Sequence, residues 1–435
     1  MGLHIRGLLS LQILLLTSCS AYKLDSAQAS LRTSFASRNY SGSVALLDKM
    51  ESARVYKNKD AVLLNLEQGT ANHFAGNYHQ SNRHFTRAED HIDFLFSKSI
   101  SRAIKSFINN DNTLDYNGED YEDIYLNIFK ALNYIHLDNL ESALVEARRI
   151  AFKLTQLNIK YNGLAEALSK ADTTGHASWE PGKTNVRNSA YGHYLATILY
   201  AKTNKPDDAR IEYEKLLKAF EDQSSIYTFS PPERSRLQAI TQPERYNVLV
   251  NCFSGRSLQK VQNDVRLYLD EADLYLKFSL PSLEMYETQV QKVEVVINDT
   301  LRKRVDLIEE MDIVARDVYR VKQPIIYART MVRALLKATG TNALSRQLGK
   351  KDETLGSLSN LLGKIGQEVT EKADLRGWQT LPGKAYVTVL NLPPGQHNLT
   401  INYFSSGNRI LFSESRLLEV TGRHSLELVE SLYWN

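Results

Sequence analysis

Few residues in this sequence are grouped as chemistry would require. The ten histidines are scattered, although His73, His79, His84 and His91 fall within one predicted helical pair. His84 and His91 lie two turns apart, so they could share a helix face and begin a transition-metal site. Exposed polar filler at that spacing is the plainer reading. Asp115, Asn117 and Gly118 fall at the third, fifth and sixth positions of a calcium-loop pattern. Thr113 and Ile124 occupy the first and twelfth, so the bidentate Glu that tight calcium binding needs is missing. The stretch reads better as a turn feeding a helix, with Glu119, Asp120, Glu122 and Asp123 favourable at its start. No H-E-x-x-H, G-x-S-x-G, phosphate-binding loop, dinucleotide glycine motif or C-x-x-C occurs. The expectation is no catalytic residue, no metal and no cofactor.

Bulk properties agree with a binding or structural role. The 435 residues suffice for two or three domains, and 53 Lys and Arg nearly balance 50 Asp and Glu. No basic field exists to recruit nucleic acid, and no acidic tail is present. Tyrosine, at 23, outnumbers phenylalanine, at 14, which suits amphipathic packing faces.

One cysteine has a chemical context. Arg6 is followed by an apolar run to Leu16, then Leu16-Thr17-Ser18-Cys19. The run falls short of the roughly 20 residues that span a bilayer. The tetrad resembles the bacterial lipobox. That resemblance implies residues 1–18 are a signal peptide, cleaved before a Cys19 that carries acyl chains. Each buried CH₂ would contribute about 0.8 kcal/mol to anchoring. Ser20 in the following position leans towards the outer membrane. The other reading is an ordinary cleaved signal peptide with an incidental cysteine. If Cys19 is lipidated, Cys252 has no disulfide partner, and burial is its expected fate.

From about Ala27 to Phe220 apolar and small residues recur at helical spacing, with no proline before Pro181. In Gly69-x6-Gly76-Asn77-Tyr78-x2-Ser81-x3-Phe85-x2-Ala88, small residues permit close helix approach, Gly76-Asn77 makes a turn, and Tyr78, Phe85 and Ala88 line a packed face. This resembles the tetratricopeptide (TPR) helix–turn–helix repeat. The pattern returns at Ala131, Tyr134, Asp138-Asn139-Leu140, Ala143, Ala147 and Ile150, then at Tyr200, Asn204-Lys205-Pro206, Ala209, Tyr213 and Leu216. Asn39-Tyr40, Ser43 and Leu47 are a weaker match. The units lie roughly 60 residues apart rather than the usual ~34, so extra helices such as one around Phe94 to Phe107 must intervene. An irregular α-bundle with chance matches is the alternative.

Asn110-Asp111, Tyr116-x-Gly118-Glu119-Asp120-Tyr121-Glu122, Ala131-Leu132-Asn133-Tyr134 and Ala143 to Arg149 resemble an uncharacterised family of bacterial TPR-containing lipoproteins. Trp378-x2-Leu381-Pro382 and Leu392-Pro393-Pro394-Gly395 fit the same family. The resemblance implies envelope location and a helical-repeat fold over residues 19–227, without a settled activity. By the TPR template, a concave partner groove would be lined by Leu66, Thr70 and His73, then Tyr125 and Ile128, then Tyr191 and Tyr194. Few of these positions are charged, which suits a helix or strand of another protein. Alternatively, inserted helices simply cover them. Glu146, Arg148 and Arg149 read as interhelical ion pairs.

Thr228 to Arg245, with Pro231-Pro232 and Pro243, reads as a domain boundary. Residues 246–375 then alternate as strands at Leu274 to Phe278, Val290 to Ile297 and Arg304 to Ile308, followed by a helix over Asp312 to Ala338 that Pro324 kinks or begins. Leu355 to Lys372 reads as a second, glycine-weakened helix or a mobile stretch. Residues 376–435 carry alternating apolar residues and turns at Leu392-Pro393-Pro394-Gly395 and Ser405 to Asn408, which suit a small immunoglobulin-like β-sandwich with Trp378 plugging its core.

The expected architecture is α+β multidomain: a TPR-like α-superhelix, a small mixed α/β module and a β-sandwich-like module. The expected function is a non-catalytic scaffold, held to the outer membrane by Cys19, probing the periplasm for another envelope protein in assembly or export. The alternative is a glycan- or peptidoglycan-binding lipoprotein using Trp378, Trp434 or nearby tyrosines as stacking platforms.

Overall fold

The computed structural model describes residues 24–101, 114–171, 178–269, 274–339, 372–422 and 425–435. The chain is mixed α+β: helices to residue 239, then strands broken by one long helix. The leading helices are α1 (24–36), α2 (Tyr40–Ser52), α3 (Ala61–Phe74), α4 (Tyr78–Ser101), α5 (Asp120–His136), α6 (Leu140–Ala171), α7 (Ala190–Lys202) and α8 (Pro206–Asp222). A short α9 follows at Arg234–Ala239.

These eight helices pair as four hairpins among the described residues, all closed by one kind of turn. Arg38, Gly76, Asp138 and Asn204 each adopt positive φ, at 62°, 81°, 53° and 58°. The next residue then donates back across the turn: Asn39 to Ser34, Asn77 to Asn72, Asn139 to Tyr134 and Lys205 to Tyr200. This is the six-to-one bond by which a left-handed residue closes a helix end. Four residues past each donating residue sits a small, fully buried side chain: Ser43, Ser81, Ala143 or Ala209. At the second hairpin the Ser81 hydroxyl donates to the Gly69 carbonyl at 2.7 Å. Gly69 has no Cβ because the Phe85 ring occupies that space.

The strands are β1 (Val248–Arg256), β2 (Gln259–Leu269), β3 (Leu274–Glu284), β4 (Lys292–Ile297), β5 (Leu301–Glu310), β6 (Pro382–Leu390), β7 (Gly395–Phe404), β8 (Ile410–Val420) and β9 (Glu427–Tyr433); α10 (Met311–Thr339) separates β5 from β6. Seven strands form one sheet in the order β8-β7-β4-β5-β6-β1-β9, while β2 and β3 stand apart as a hairpin. Only β1 and β9 run parallel within the seven-stranded sheet. Its two end strands meet through side chains. Ser431 donates to Glu414 at 2.7 Å, and Phe412 stacks on Tyr433 at 5.3 Å. The sheet therefore curls around a core that includes Val248, Val250, Cys252, Val293, Val295, Ile401 and Tyr403.

The period-two alternation of a strand puts neighbouring side chains on opposite faces. On β1, Leu249 and Phe253 accordingly leave the sheet's own core and join the core of the helical array, as do Ala385, Val387, Leu428 and Leu432. Helices and sheet thus share one apolar interior. The boundary expected near residue 376 falls inside this sheet, because β1, β4 and β5 interleave with β6 to β9. Alternation reveals strands but not their partners across long separations.

Pro324 lies within α10 rather than at its start, and the Gly182 N–H donates to the Val321 carbonyl nearby at 2.9 Å. The helix expected over Leu355 to Lys372 lies outside the described residues, apart from Lys372 itself.

Candidate functional site

All seven residues of the expected partner face, Leu66, Thr70, His73, Tyr125, Ile128, Tyr191 and Tyr194, are buried. The chain's own C-terminal half fills it. Thr70 accepts the Trp378 indole N–H at 2.8 Å. His73 Nε2 lies 3.1 Å from Glu430 of β9. The Tyr125 hydroxyl donates to Glu309 of β5 at 2.8 Å, and that of Tyr191 to Asn251 of β1 at 2.5 Å. Leu66 and Ile128 enter the same apolar core. Phe253 stacks on Phe129 at 5.6 Å and meets Tyr191 edge-on at 6.4 Å. Tyr194 reaches a smaller cavity of about 160 Å³ beside Arg236, Lys303 and Asp306. Inserted helices are not the covering; the curled sheet and the stretch 376–381 are.

Trp378 departs from the expected sandwich core. Its ring lies 5.7 Å from both Phe85 and Phe129, inside the helical array. It is 3 % exposed and Trp434 is 5 % exposed, so neither offers a face on which a sugar could stack.

Buried carboxylates hold this junction together. Glu67 of α3 accepts from the Gln379 backbone at 2.7 Å and the Thr380 hydroxyl at 2.6 Å. Burial outweighs those bonds and pushes its pKa up to about 7. Glu122 of α5 accepts from the Trp378 backbone and the Tyr116 hydroxyl, both at 2.7 Å, and is raised by burial and by the charge of Glu119. Glu309 collects hydrogen bonds from Ser189, Tyr125 and Tyr227 and from the Tyr191 backbone; burial is the larger influence and raises it. Glu430 shows the reverse outcome. Burial alone would raise it, but His73 and His136, the latter at 2.8 Å, hold it well below the usual carboxylate range. These pairs resemble acid–base machinery in their shifts, yet they are sealed, and their donors are parts of the fold.

The other sequence-predicted groups are structural in placement. The stretch before α5 is a helix start: Glu119 and Glu122 form a capping box, and Gly118 takes φ +72°. His84 bonds to Asn65 at 3.1 Å, while His91 is exposed. Among the described residues no group of three His, Cys, Asp or Glu is placed to hold a metal. Glu146 pairs with Lys130 at 3.0 Å and Arg149 with Glu89 at 3.0 Å, bridging helices, whereas Arg148 stays exposed. Cys252 is free and buried, and burial pushes its thiol pKa up. Cys19 lies outside the described residues.

A cavity of about 370 Å³ lies between the ends of α4 and α6, residues 114–119, the β2–β3 hairpin, α10 and residues 372–374. Its apolar wall includes Phe96, Leu164, Leu168, Pro281, Ile325 and Ile326. Lys260 and Lys322 also line it, and both bind Glu119, the former at 2.6 Å. Tyr116 lies beneath Lys260, with the ammonium 5.1 Å from its ring centre. No sequence signal marked this site, because its residues come from seven separated stretches.

No family model matches this chain, and neither the curated proteins nor the solved structures contain a detectable relative.

Proposed function

We propose that this chain is a lipid-anchored bacterial envelope lipoprotein that works as a non-catalytic, TPR-type binding scaffold at the outer membrane. The observation that carries the reading is Leu16-Thr17-Ser18-Cys19 behind a charged start and a short apolar run. The four hairpins with one repeated turn support the TPR-type comparison. We read the curled sheet as a sandwich-like module, wedged into the concave side of a short superhelix. On that reading the sheet braces the superhelix, and partners meet its outer side. There Val145, Phe152 and Ile159 are exposed at seven-residue steps along α6. Tethering would confine encounters to a membrane surface and raise their effective concentration. Among the described residues no helix is long and apolar enough to cross a membrane.

The test is metabolic labelling with radioactive palmitate. Label should enter the wild type and not Cys19→Ala, and the variant should leave the outer-membrane fraction. Crosslinking in native membranes followed by mass spectrometry should recover an envelope protein, less so with Phe152→Glu. Equal fractionation of Cys19→Ala and wild type would overturn the anchoring.

A further inference from the structure

We propose that α6 is a self-association surface, on which a second copy of this chain lays its own α6 antiparallel. The inference rests on the scaffold reading, which makes this helix part of the outer side, and it names the partner that meets it there. Val145, Phe152 and Ile159 are 49 %, 62 % and 66 % exposed on this one helix. A seven-residue step drifts only about 20° around a helix, so the three form one stripe. Large apolar side chains exposed in a line mark a contact surface. Around Phe152 and Ile159 the exposed residues carry no charge: they are Thr155, Asn158, Asn162 and Gly163. Lys153 and Lys160, in the same stretch, are half-buried and turn to Asp123 at 2.7 Å and Asp120 at 2.6 Å.

Charges begin beyond this stretch, and their signs suit an antiparallel mate. Glu141 and Arg148 lie towards the start of the helix, Glu166 and Lys170 towards its end, and all four are exposed. Turning a second α6 about a two-fold axis between Thr155 and Gln156 sets Phe152 against Ile159 of the second copy. It also sets Glu141 against Lys170 of that copy, and Arg148 against Gly163. Gly163 has open space where a Cβ would stand. The Arg148 guanidinium then has room to reach Glu166, three residues further along the facing helix. Each contact occurs twice, as a two-fold interface requires. A parallel mate in register would set each of the four charges against its own like, which is repulsive.

The partners these charges have within the chain do not prevent the exchange. Lys170 pairs with Glu166 on its own helix at 2.6 Å, and Lys205 with Glu141 at 3.1 Å, with all four side chains at the surface. Ion pairs so exposed contribute little and are readily replaced. A lipid surface would meet charges of both signs at the ends of the apolar stripe. An unrelated protein would have no reason to match a pattern that is complementary to itself. Three apolar anchors per copy make a small interface, of the kind that pairs weakly and reversibly. Confinement to one membrane would raise the effective concentration and favour the pair.

The test uses the full chain in its own membranes, as two differently tagged copies expressed together. Glu141→Cys in one copy and Lys170→Cys in the other should join under mild oxidation, giving a species of twice the chain's mass that carries both tags. Glu141→Cys in both copies sets the thiols about 40 Å apart along the helices and should give at least fivefold less. Phe152→Glu should cut the mixed product at least fivefold. Leu417→Glu, at an exposed apolar position on β8, should leave it unchanged. Equal yields from matched and mixed pairs, no mixed product, or a mixed yield undiminished by Phe152→Glu would overturn the proposal. Product through α6 only with a protein of another mass would overturn the self-pairing and leave the scaffold reading standing. A mixed product in a chain that takes no palmitate at Cys19 would support the pairing and remove the anchor.

Discussion

The indole N–H of Trp378 donates to the Thr70 hydroxyl at 2.8 Å, joining residues 308 apart in sequence. This bond sits at the centre of the surface where the C-terminal half fills the helical array. Removing the ring from so packed a place leaves a cavity as well as lost contact area. Trp378→Ala should therefore cost roughly 3–5 kcal/mol. Because helices and sheet share one core, far-ultraviolet circular dichroism and tyrosine fluorescence should lose signal together in urea. Separate transitions for the two signals would contradict a shared core.

Glu309 makes a second long-range tie. Tyr125, Tyr227 and Ser189 all donate to it, at 2.8, 3.0 and 2.7 Å. An amide at this position would present N–H groups to donors. Glu309→Gln should lower stability by about 1–3 kcal/mol, seen as a lower urea midpoint with an unchanged slope.

Both ties show where sequence reading stops. Gly69, Gly76, Ser81 and Phe85 announced a tight helical hairpin because the constraint is local: a turn needing positive φ and two axes needing a small residue. The strands were legible for a similar reason, since alternation is a property of one segment. Thr70 reads as a groove residue and Trp378 as a sandwich-core plug, and nothing within either segment encodes the other. The apolar character of Tyr125, Ile128 and Tyr191 marked a face to be covered without saying what covers it. The same limit hid the cavity, whose Glu119, Lys260 and Lys322 come together only through tertiary packing.

Buried acids give the protein an uneven response to pH. The Glu67 carboxyl is raised from 4.5 to about 7 by burial, so the folded chain keeps this proton where the unfolded chain has released it. Stability from this group is complete below about pH 4.5 and declines as pH rises towards 7, by up to about 3 kcal/mol. Glu89 acts oppositely. Burial would raise it, but Lys153 and Lys130 lower it to about 2, and its contribution disappears as pH falls below 4.5. Urea midpoints should fall between about pH 5 and about pH 8, and Glu67→Gln should flatten that decline. A decline of the same steepness in Glu67→Gln would assign the effect to another group.

Gly69 and Phe85 set the closest approach between α3 and α4. A Cβ at position 69 would lie 2.6 Å from the Phe85 ring, well inside van der Waals contact. Both residues are fully enclosed or nearly so, with Ser81 binding the Gly69 carbonyl from the same side. The helices cannot separate without losing that bond. Gly69→Ala should therefore destabilise by roughly 1–3 kcal/mol, although alanine favours helix elsewhere. Phe85→Leu alone should also destabilise, through lost packing. Combined, the two should cost less than their sum, because the smaller side chain vacates the space the new methyl needs. Thermal unfolding of the four members of this cycle measures the difference. Simple additivity would mean that the helices move apart instead, and that the glycine is not what sets their spacing.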